Sequence, residues 1–390
     1  APGQALRDGD IDWRAATAAS ATTLEPVLLP GDALMALLST SGTTGSPKGV
    51  PVPLRAMMAF ASYMELAVDL RADDVFWNIA DPGWAYGLYY AVIGPLMLGH
   101  ATTFSEAGFS VPGLNTIIGQ LGVTNLAGSP TAYRQIIAAG PAASAGIKGQ
   151  LRVVSSAGEP LNPEIARWFA EHLQTTVLDH YGQTETGMVV NNHHALAHSV
   201  RPGSSGFAMP GYRVAVLDDQ GHELPPRTPG ILAVDLKQSP IMWFTGYYQA
   251  ETPAIAGGYY RTGDSVECED DGSISFIGRS DYLITSSGYR IGPFDVESAL
   301  MEHPSVAEAA VIGVPDPERT EIVKAFVILR DGFEGSDALA HELQQHVRHR
   351  LSAHAYPRQV EFVVQVPKTP SGKVQRFLLR KAEIEKQAAG

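Results

Sequence analysis

Short apolar runs of strand length alternate with helix-length stretches from residue 33 to about residue 203, and this alternation narrows the fold more than any other feature. It predicts an α/β architecture in which a mostly parallel sheet carries helices on its faces. Strands are expected at 33–39, 75–79, 124–127, 152–155 and 176–179, the first as a short buried strand, with helices over 55–67, 130–139 and 163–172. From 204 to 277 the texture changes. Glycine and proline become dense, and runs at 213–217, 230–235 and 273–277 alternate with turns such as Asp219-Gln220-Gly221 and Asp270-Asp271-Gly272. That pattern predicts an antiparallel β-subdomain. Beyond residue 282 a small α+β unit is expected: a helix over 293–303 with Pro293 in its first turn, strands at 307–312 and 324–329, a helix over 336–351, a strand at 360–365 and a helix from 374. Residues 1–31 read as a flexible lead-in, and the boundary between the two units falls near 279–282.

Composition removes several classes of function. The 390 residues carry 28 Lys+Arg against 41 Asp+Glu, a formal charge of −13, which repels phosphate backbones and anionic lipid. Any nucleotide must therefore be held by a local site. The one cysteine, Cys268, sits among Glu267, Glu269, Asp270 and Asp271, which raise a thiol pKa rather than activate it. One cysteine permits no internal disulfide and suits a reducing compartment. No apolar run reaches spanning length, and no secretory signal is expected, so the chain reads as cytoplasmic.

The loop STSGTTGSPKG, residues 39–49, is built for anions. Its glycines free backbone N–H groups to turn toward an anion, Thr40, Ser41, Thr43 and Thr44 add hydroxyl donors, and Lys48 adds charge. This is a polyphosphate cradle in kind, although Gly42, Gly45 and Lys48 lack the Walker spacing. A plain flexible Ser/Gly loop is the competing reading.

With four further strings the loop resembles the signatures of the adenylate-forming superfamily, in that family's order: SSAGEPL (155–161), DHYGQTETG (179–187), YYRTGD (259–264) and GRSDYLITSSGYRIGP (278–293). PKTPSGKVQR (367–376) completes the series. The resemblance runs from residue 39 to the C-terminus and is closest to the medium-chain acyl-CoA synthetases, through SSGYRIGP and the later Tyr-Pro-Arg. It implies ATP, Mg2+ and CoA as partners of a small-molecule carboxylic acid. The cradle, with Ser41, Gly42, Thr43, Thr44, Gly45 and Lys48, would hold phosphates. Gly158, Glu159, Pro160, Asp179, His180, Tyr181, Gly182 and Gln183 would form the purine slot and the wall beside the α-phosphate. Asp264 and Arg279 would take the ribose, a role for which a carboxylate suits the hydroxyls. Glu185 would be the magnesium ligand, a hard carboxylate for a hard ion, with Thr184 beside it. Lys373 would bridge the attacking carboxylate and the α-phosphate, two anions that otherwise repel as they approach. Nearby Lys368, Lys381 and Lys386 read as solvated surface lysines.

The same resemblance implies a second half-reaction. Asp281 matches a hinge, Arg290 a residue near the adenylate, and Ser287, Gly288 and Tyr289 a strand along a thiol tunnel. Arg319, Arg348, Tyr356, Pro357 and Arg358 match CoA-binding positions. It divides the chain into a core, 1–278, N-terminally incomplete beside the family, a hinge, 279–282, and a mobile C-terminal domain, 283–390. An acyl pocket is expected near Trp84 and Gly182. Glycine at 182 stands where acetate-specific relatives carry tryptophan, which would leave room for a larger acid. Tyr86, Tyr89 and Tyr90 read as core rather than pocket, and His193-His194 as an exposed pair. Two alternatives stand beside the CoA ligase: an enzyme that loads a carrier protein, and an inactive nucleotide-binding fragment.

Overall fold

The computed structural model describes residues 7–40, 48–287, 289–352, 354–368 and 374–389, without the side chains of Asp281, Arg290, Ala388 and Ala389. Strands β1 (Leu34–Ser39) and β2 (Gly49–Pro53) form an antiparallel hairpin on either side of the Ser/Gly loop. The expectation of a buried first strand does not hold: Leu34 and Leu37 are exposed, because β1 pairs only with β2 and one of its faces is uncovered. The lead-in includes one short helix, Trp13–Ala18, capped by Asp12, and buries no residue of it.

Four strands build the parallel part of the main sheet: β3 (Phe76–Asn78), β4 (Asn125–Gly128), β5 (Val153–Ala157) and β6 (Val177–Gln183). The first three are buried along their whole length, as expected of strands covered by helices on both faces. Their connections contain helices whose starts are written in the sequence. Ser110, Ser129 and Asn162 each accept a backbone N–H at a helix N-terminus and are followed by proline in the first turn, which lacks the N–H that would go unpaired there. Helix Val111–Leu121 ends at Gly122, whose φ of +70° suits glycine, and it buries Val111, Leu114 and Ile118 on one face.

At Gln183 the chain turns and returns as β7 (Gly187–Asn191), antiparallel to β6. The ladder continues through β8 (Ser204–Ala208) into an antiparallel part made of β9 (Val214–Leu217), β10 (Gly230–Asp235), β11 (Ile255–Ala256), β12 (Tyr259–Cys268) and β13 (Ile274–Arg279). The antiparallel region expected from the glycine-rich texture is thus hydrogen-bonded onto the parallel one as a single 11-stranded sheet.

After β13 a single 3-10 turn, Ser280–Tyr282, leads into a 5-stranded sheet: β14 (Ile284–Ser286), β15 (Tyr289–Ile291), β16 (Val306–Asp316), β17 (Thr320–Leu329) and β18 (Gln359–Phe362). Helices Pro293–Met301, Asp337–Arg350 and Arg376–Ala389 complete this unit. It has its own apolar core around Ile284, Val296, Leu300, Val311, Val327, Leu343 and Val347. No helix among the described residues is long and apolar enough to cross a membrane.

Two surface expectations are corrected. His193 is buried, and His194 is packed with its Nε2 3.2 Å from the Val154 carbonyl; burial lowers both imidazoles to about 4, so both are neutral. Lys368 is ion-paired with Glu308 at 2.7 Å rather than simply solvated.

Candidate active site

A cavity of about 1080 Å³ opens at the carboxyl ends of β5 and β6, where ligands of open α/β sheets bind. It brings together Thr40, Lys48, Gly158, Glu159, Pro160, Asp179, His180, Tyr181, Gly182, Gln183, Thr184, Glu185, Asp264 and Arg279, fourteen of the positions that sequence assigned to nucleotide or metal. These come from five separate stretches of chain. The wall facing them belongs to the C-terminal unit and includes Glu297, Ser298, Val374 and Arg376.

Asp264 is the best-supported group in the cavity. It is 4% exposed, and its Oδ2 accepts Tyr181 Oη–H at 2.5 Å and Gln183 Nε2–H at 2.8 Å. Antiparallel pairing of β12 with β13 sets Asp264 opposite Arg279, whose Nε lies 3.7 Å from Oδ1. Gln183 is itself fixed, donating to the Thr262 carbonyl at 2.9 Å and accepting Tyr260 Oη–H at 3.0 Å. A carboxylate held by three neighbours costs little reorganisation when it meets a ligand hydroxyl.

Glu185 lies in the turn between β6 and β7 and accepts Tyr247 Oη–H at 2.8 Å. Burial, and then the Glu185 charge, raise the Tyr247 phenol, which stays protonated as that donor. Lys48 sits over the Tyr247 ring at 4.8 Å, so one tyrosine links the cation after the Ser/Gly loop to this carboxylate. Thr184 is anchored through its carbonyl, which accepts Tyr89 Oη–H at 3.1 Å.

On the opposite side, Glu159 accepts the Thr131 hydroxyl at 2.8 Å and Arg134 Nη2–H at 2.9 Å, which ties residues 158–160 to helix Pro130–Ala138. Gly158 has φ +93°, a conformation that L side chains rarely adopt. Asp179 is buried, and Ser205 Oγ–H donates to its Oδ2 at 3.3 Å. Its Oδ1 makes no hydrogen bond to another described group. Burial pushes this carboxyl up to about 8, against the pull of the Leu161 and His180 N–H groups and the Ser205 hydroxyl.

Three expected roles need correction. The His180 ring is committed to the core, with Nδ1 2.8 Å from Tyr63 Oη and Nε2 3.0 Å from the Asn192 carbonyl, so only its main chain can serve a ligand. Burial lowers its pKa well below the usual histidine range; neutral, it donates Nε2–H to Asn192 and accepts from Tyr63. Gly182 lines the cavity but leaves no open volume, because a Cβ there would lie 2.2 Å from the Gly187 carbonyl oxygen. Trp84 is 36% exposed and does not line the cavity. Beneath the 184–187 turn the space is filled by aromatic rings: Tyr89 stacks on Phe60 at 4.4 Å, and Tyr90 and Trp243 meet that pair edge-on.

The positions matched to CoA lie in the C-terminal unit, away from the cavity lining. Arg319 Nη1–H donates to Ser287 Oγ at 3.0 Å, and Tyr289 stacks on His354 at 4.0 Å. Arg348 and Arg358 bracket Tyr356, at 5.8 and 4.3 Å from its ring centre, and Pro357 separates the last two in sequence. Ser41, Gly42, Thr43, Thr44, Gly45, Gly288 and Lys373 lie outside the described residues, as do the side chains of Asp281 and Arg290. Sequence reasoning missed Tyr247, Thr131, Arg134, Glu297 and Arg376. Thr131 and Arg134 share helix Pro130–Ala138, Tyr247 lies in a loop, and Glu297 and Arg376 stand on two helices of the C-terminal unit, and no spacing in the sequence announces them.

Residues 4–248 match the AMP-binding enzyme family and residues 295–373 its C-terminal domain. The chain belongs to the AMP-binding enzyme family. It is 42% identical over 350 residues to the acetyl-coenzyme A synthetase of Bacillus subtilis, covering 88% of this chain and 61% of that protein. It is 40% identical over 375 residues to a 4-hydroxybutyrate–CoA ligase of Metallosphaera sedula, covering 94% of this chain and 65% of that one. Among solved structures it is similar to an acyl-CoA synthetase of Brucella canis, with TM-score 0.74 and 68% identity, covering 99% of this chain and 71% of that one. The chain thus spans a little under two thirds of the length of these two curated relatives.

Proposed function

We propose that the protein is an AMP-forming acyl-CoA synthetase. It joins a carboxylate oxygen to the α-phosphorus of ATP with release of pyrophosphate, then passes the acyl group to the CoA thiol with release of AMP. The observation that carries this reading is the braced Asp264 sharing one cavity with Glu185 and the 158–160 loop. A carboxylate with its donors already in place suits the vicinal hydroxyls of a ribose, and Arg279 beside it suits the same sugar. Asp179, held neutral, offers a donor and an acceptor side by side, which matches an adenine edge carrying an amine next to a ring nitrogen. Tyr181, Gly182 and Gln183 carry the slot toward the α-phosphate, and the 39–49 loop with Lys48 receives the outer phosphates.

Glu185 and Thr184 fit a magnesium ion that arrives with the nucleotide, since Mg2+ is usually held by one or two carboxylates plus substrate phosphates and water. When bound, the ion would neutralise phosphate charge. Lys373 would bring the acid's carboxylate to the α-phosphate, and Arg290 would approach the adenylate. Turning at Asp281 would then exchange that face of the C-terminal unit for the one bearing Ser287, Gly288 and Tyr289, along which the thiol would enter. Arg319, Arg348 and Tyr356–Arg358 offer guanidinium groups and an aromatic ring suited to CoA phosphates and base. The single cysteine suits a reducing compartment such as the cytoplasm.

The test is acid-dependent exchange of pyrophosphate into ATP by the full-length protein, followed by thioester formation with CoA. The series of acids runs from acetate through 4-hydroxybutyrate and decanoate to benzoate. No exchange with any acid refutes adenylation. Exchange without transfer to CoA, but with transfer to a carrier protein, refutes the choice of acceptor.

A further inference from the structure

Lys48 and Glu185 bring opposite charges to one cavity, yet among the described residues neither forms an ion pair. Tyr247 stands between them instead. Its hydroxyl donates to Glu185 Oε1 at 2.8 Å, and Lys48 Nζ lies 4.8 Å from the centre of its ring. The loop that carries this tyrosine is tied down on several sides. Arg55 donates to the carbonyls of Met242 and Trp243 at 2.9 Å each, and Tyr247 N–H donates to Thr252 Oγ1 at 2.8 Å. Tyr248 N–H donates to the Gly49 carbonyl at 2.8 Å, which joins the loop to the residue after Lys48. The Tyr247 ring packs edge-on against Phe244 at 5.2 Å, and Phe244 meets Tyr260 at 5.4 Å. The Tyr260 hydroxyl in turn holds Gln183, so Tyr247 shares its support with the brace of Asp264.

Opposite charges facing one cavity attract, and a direct Lys48–Glu185 contact would consume the charge that each can offer a ligand. A neutral phenol avoids that outcome. Its face attracts the ammonium through the ring quadrupole, while its hydroxyl occupies a single carboxylate oxygen. Glu185 Oε2 takes no hydrogen bond from another described group, so the carboxylate keeps one oxygen for the cavity. A carboxylate that ligates a metal is itself hydrogen-bonded in turn, and that outer partner fixes its orientation. Tyr247 has the geometry of such a partner. The lysine gains as well, because it is exposed on a flexible four-carbon stem and a fixed ring narrows where its ammonium stands.

We propose that Tyr247 is a positioning residue for the outer phosphates of ATP and their magnesium ion, its hydroxyl orienting Glu185 toward the ion and its ring holding Lys48 for phosphate oxygens. This deepens the acyl-CoA synthetase reading above and rests on it. The two contacts separate chemically. Tyr247→Phe keeps the ring and removes the hydroxyl, whereas Tyr247→Leu removes both. AMP lacks the outer phosphates, so its binding reports the base, the ribose and the α-phosphate alone.

The experiment measures binding to the full-length protein and the two variants by titration calorimetry, with no acid present so that no turnover occurs. Three ligands are compared: ATP with saturating Mg2+, ATP with EDTA, and AMP with EDTA. Tyr247→Phe is expected to raise the Kd for Mg2+-ATP about tenfold, the low end of the loss that follows removal of a metal ligand's outer partner. Its other two Kd values should stay within about twofold of the parent. Tyr247→Leu should weaken Mg2+-ATP at least as far and also weaken metal-free ATP about threefold, because Lys48 loses its ring. AMP should bind both variants as it binds the parent. If Tyr247→Leu does not fold, Tyr247→Phe carries the test by itself. Mg2+-ATP bound by Tyr247→Phe as tightly as by the parent overturns the proposal. A loss shared equally by AMP marks Tyr247 as merely structural and overturns it too. Metal-free ATP bound equally by Tyr247→Leu and the parent overturns the part assigned to the ring. Each of these results leaves the enzyme class intact, whereas a parent that binds none of the three ligands overturns the class itself.

Discussion

Asp179→Asn isolates the neutral carboxyl at the back of the cavity. Asparagine has nearly the same shape, can accept the Ser205 hydroxyl as the acid does, and has no charge to bury. In the folded parent burial raises the carboxyl from 3.8 to about 8, so across that interval the folded chain holds a proton that the unfolded chain has released. Stability from this group is therefore full below the unfolded value and is lost as pH rises toward the folded one. The slope is about 1.4 kcal/mol per pH unit, or roughly 3 kcal/mol between about pH 5 and pH 7.5. The variant lacks this slope. Other titrating groups are shared by both chains, so they cancel in the difference. Urea unfolding of both proteins at several pH values, at unchanged m, reads it directly as a widening advantage of the variant with rising pH. A difference that stays flat across that range would mean that Asp179 is already ionised in the folded protein. The donor-plus-acceptor match to adenine would then fail as well.

Asp264→Asn should raise the KM for ATP about tenfold or more while leaving the KM for the acid unchanged, because hydrogen bonds to a charged acceptor contribute about 1.5–3 kcal/mol; an unchanged ATP KM in the exchange assay would remove Asp264 from the ribose site. Lys373→Ala should nearly abolish exchange yet retain thioester formation from a preformed acyl-adenylate, and an equal fall in both would show that Lys373 does not act on the first step alone. Gly182→Trp should fail to fold or melt well below the parent, since even a Cβ would meet the Gly187 carbonyl at 2.2 Å. A variant that melts with the parent and turns toward acetate would show that position 182 faces open space after all.

The parts of the fold that sequence made legible share one physical origin, local information. Ser129 followed by Pro130, and Asn162 followed by Pro163, announce helix starts through capping chemistry confined to a few residues. The run 153–157, β-branched at its start and with only the small Ser155 and Ser156 as polar residues, becomes a central strand buried at every position. Where an outcome depends on a partner far along the chain, the reading failed. Residues 33–39 look like a core strand, but their burial is decided by which neighbours cover them, and β2 covers only an edge. His193 and His194 sit in a polar stretch, yet their neighbours in space are the His198 ring and the Val154 carbonyl.

Position 182 shows how the same limit acts inside the site. The sequence identifies a glycine where a bulky residue would close a pocket, and treating the missing side chain as free volume follows naturally. The direction in which that volume would lie is set instead by the register of β6 against β7. Tyr181 pairs with Val190 and Gly182 with Met188, so the ladder slips by a residue between them. That slip brings the Gly187–Met188 backbone to the Cα of Gly182, within 2.8 Å of where a Cβ would stand. On this geometry glycine at 182 is required by close backbone approach rather than selected by ligand size. The space beneath the 184–187 turn is likewise filled by core side chains. The Phe60, Tyr89, Tyr90 and Trp243 rings are fixed there by mutual packing, and Tyr89 is tied by its hydroxyl to the Thr184 carbonyl. Under the acyl-CoA synthetase reading proposed above, a substitution such as Tyr89→Phe, which removes the tie to the Thr184 carbonyl, should shift the KM for the acid and the KM for ATP together in the exchange assay. A shift in one alone would refute that coupling.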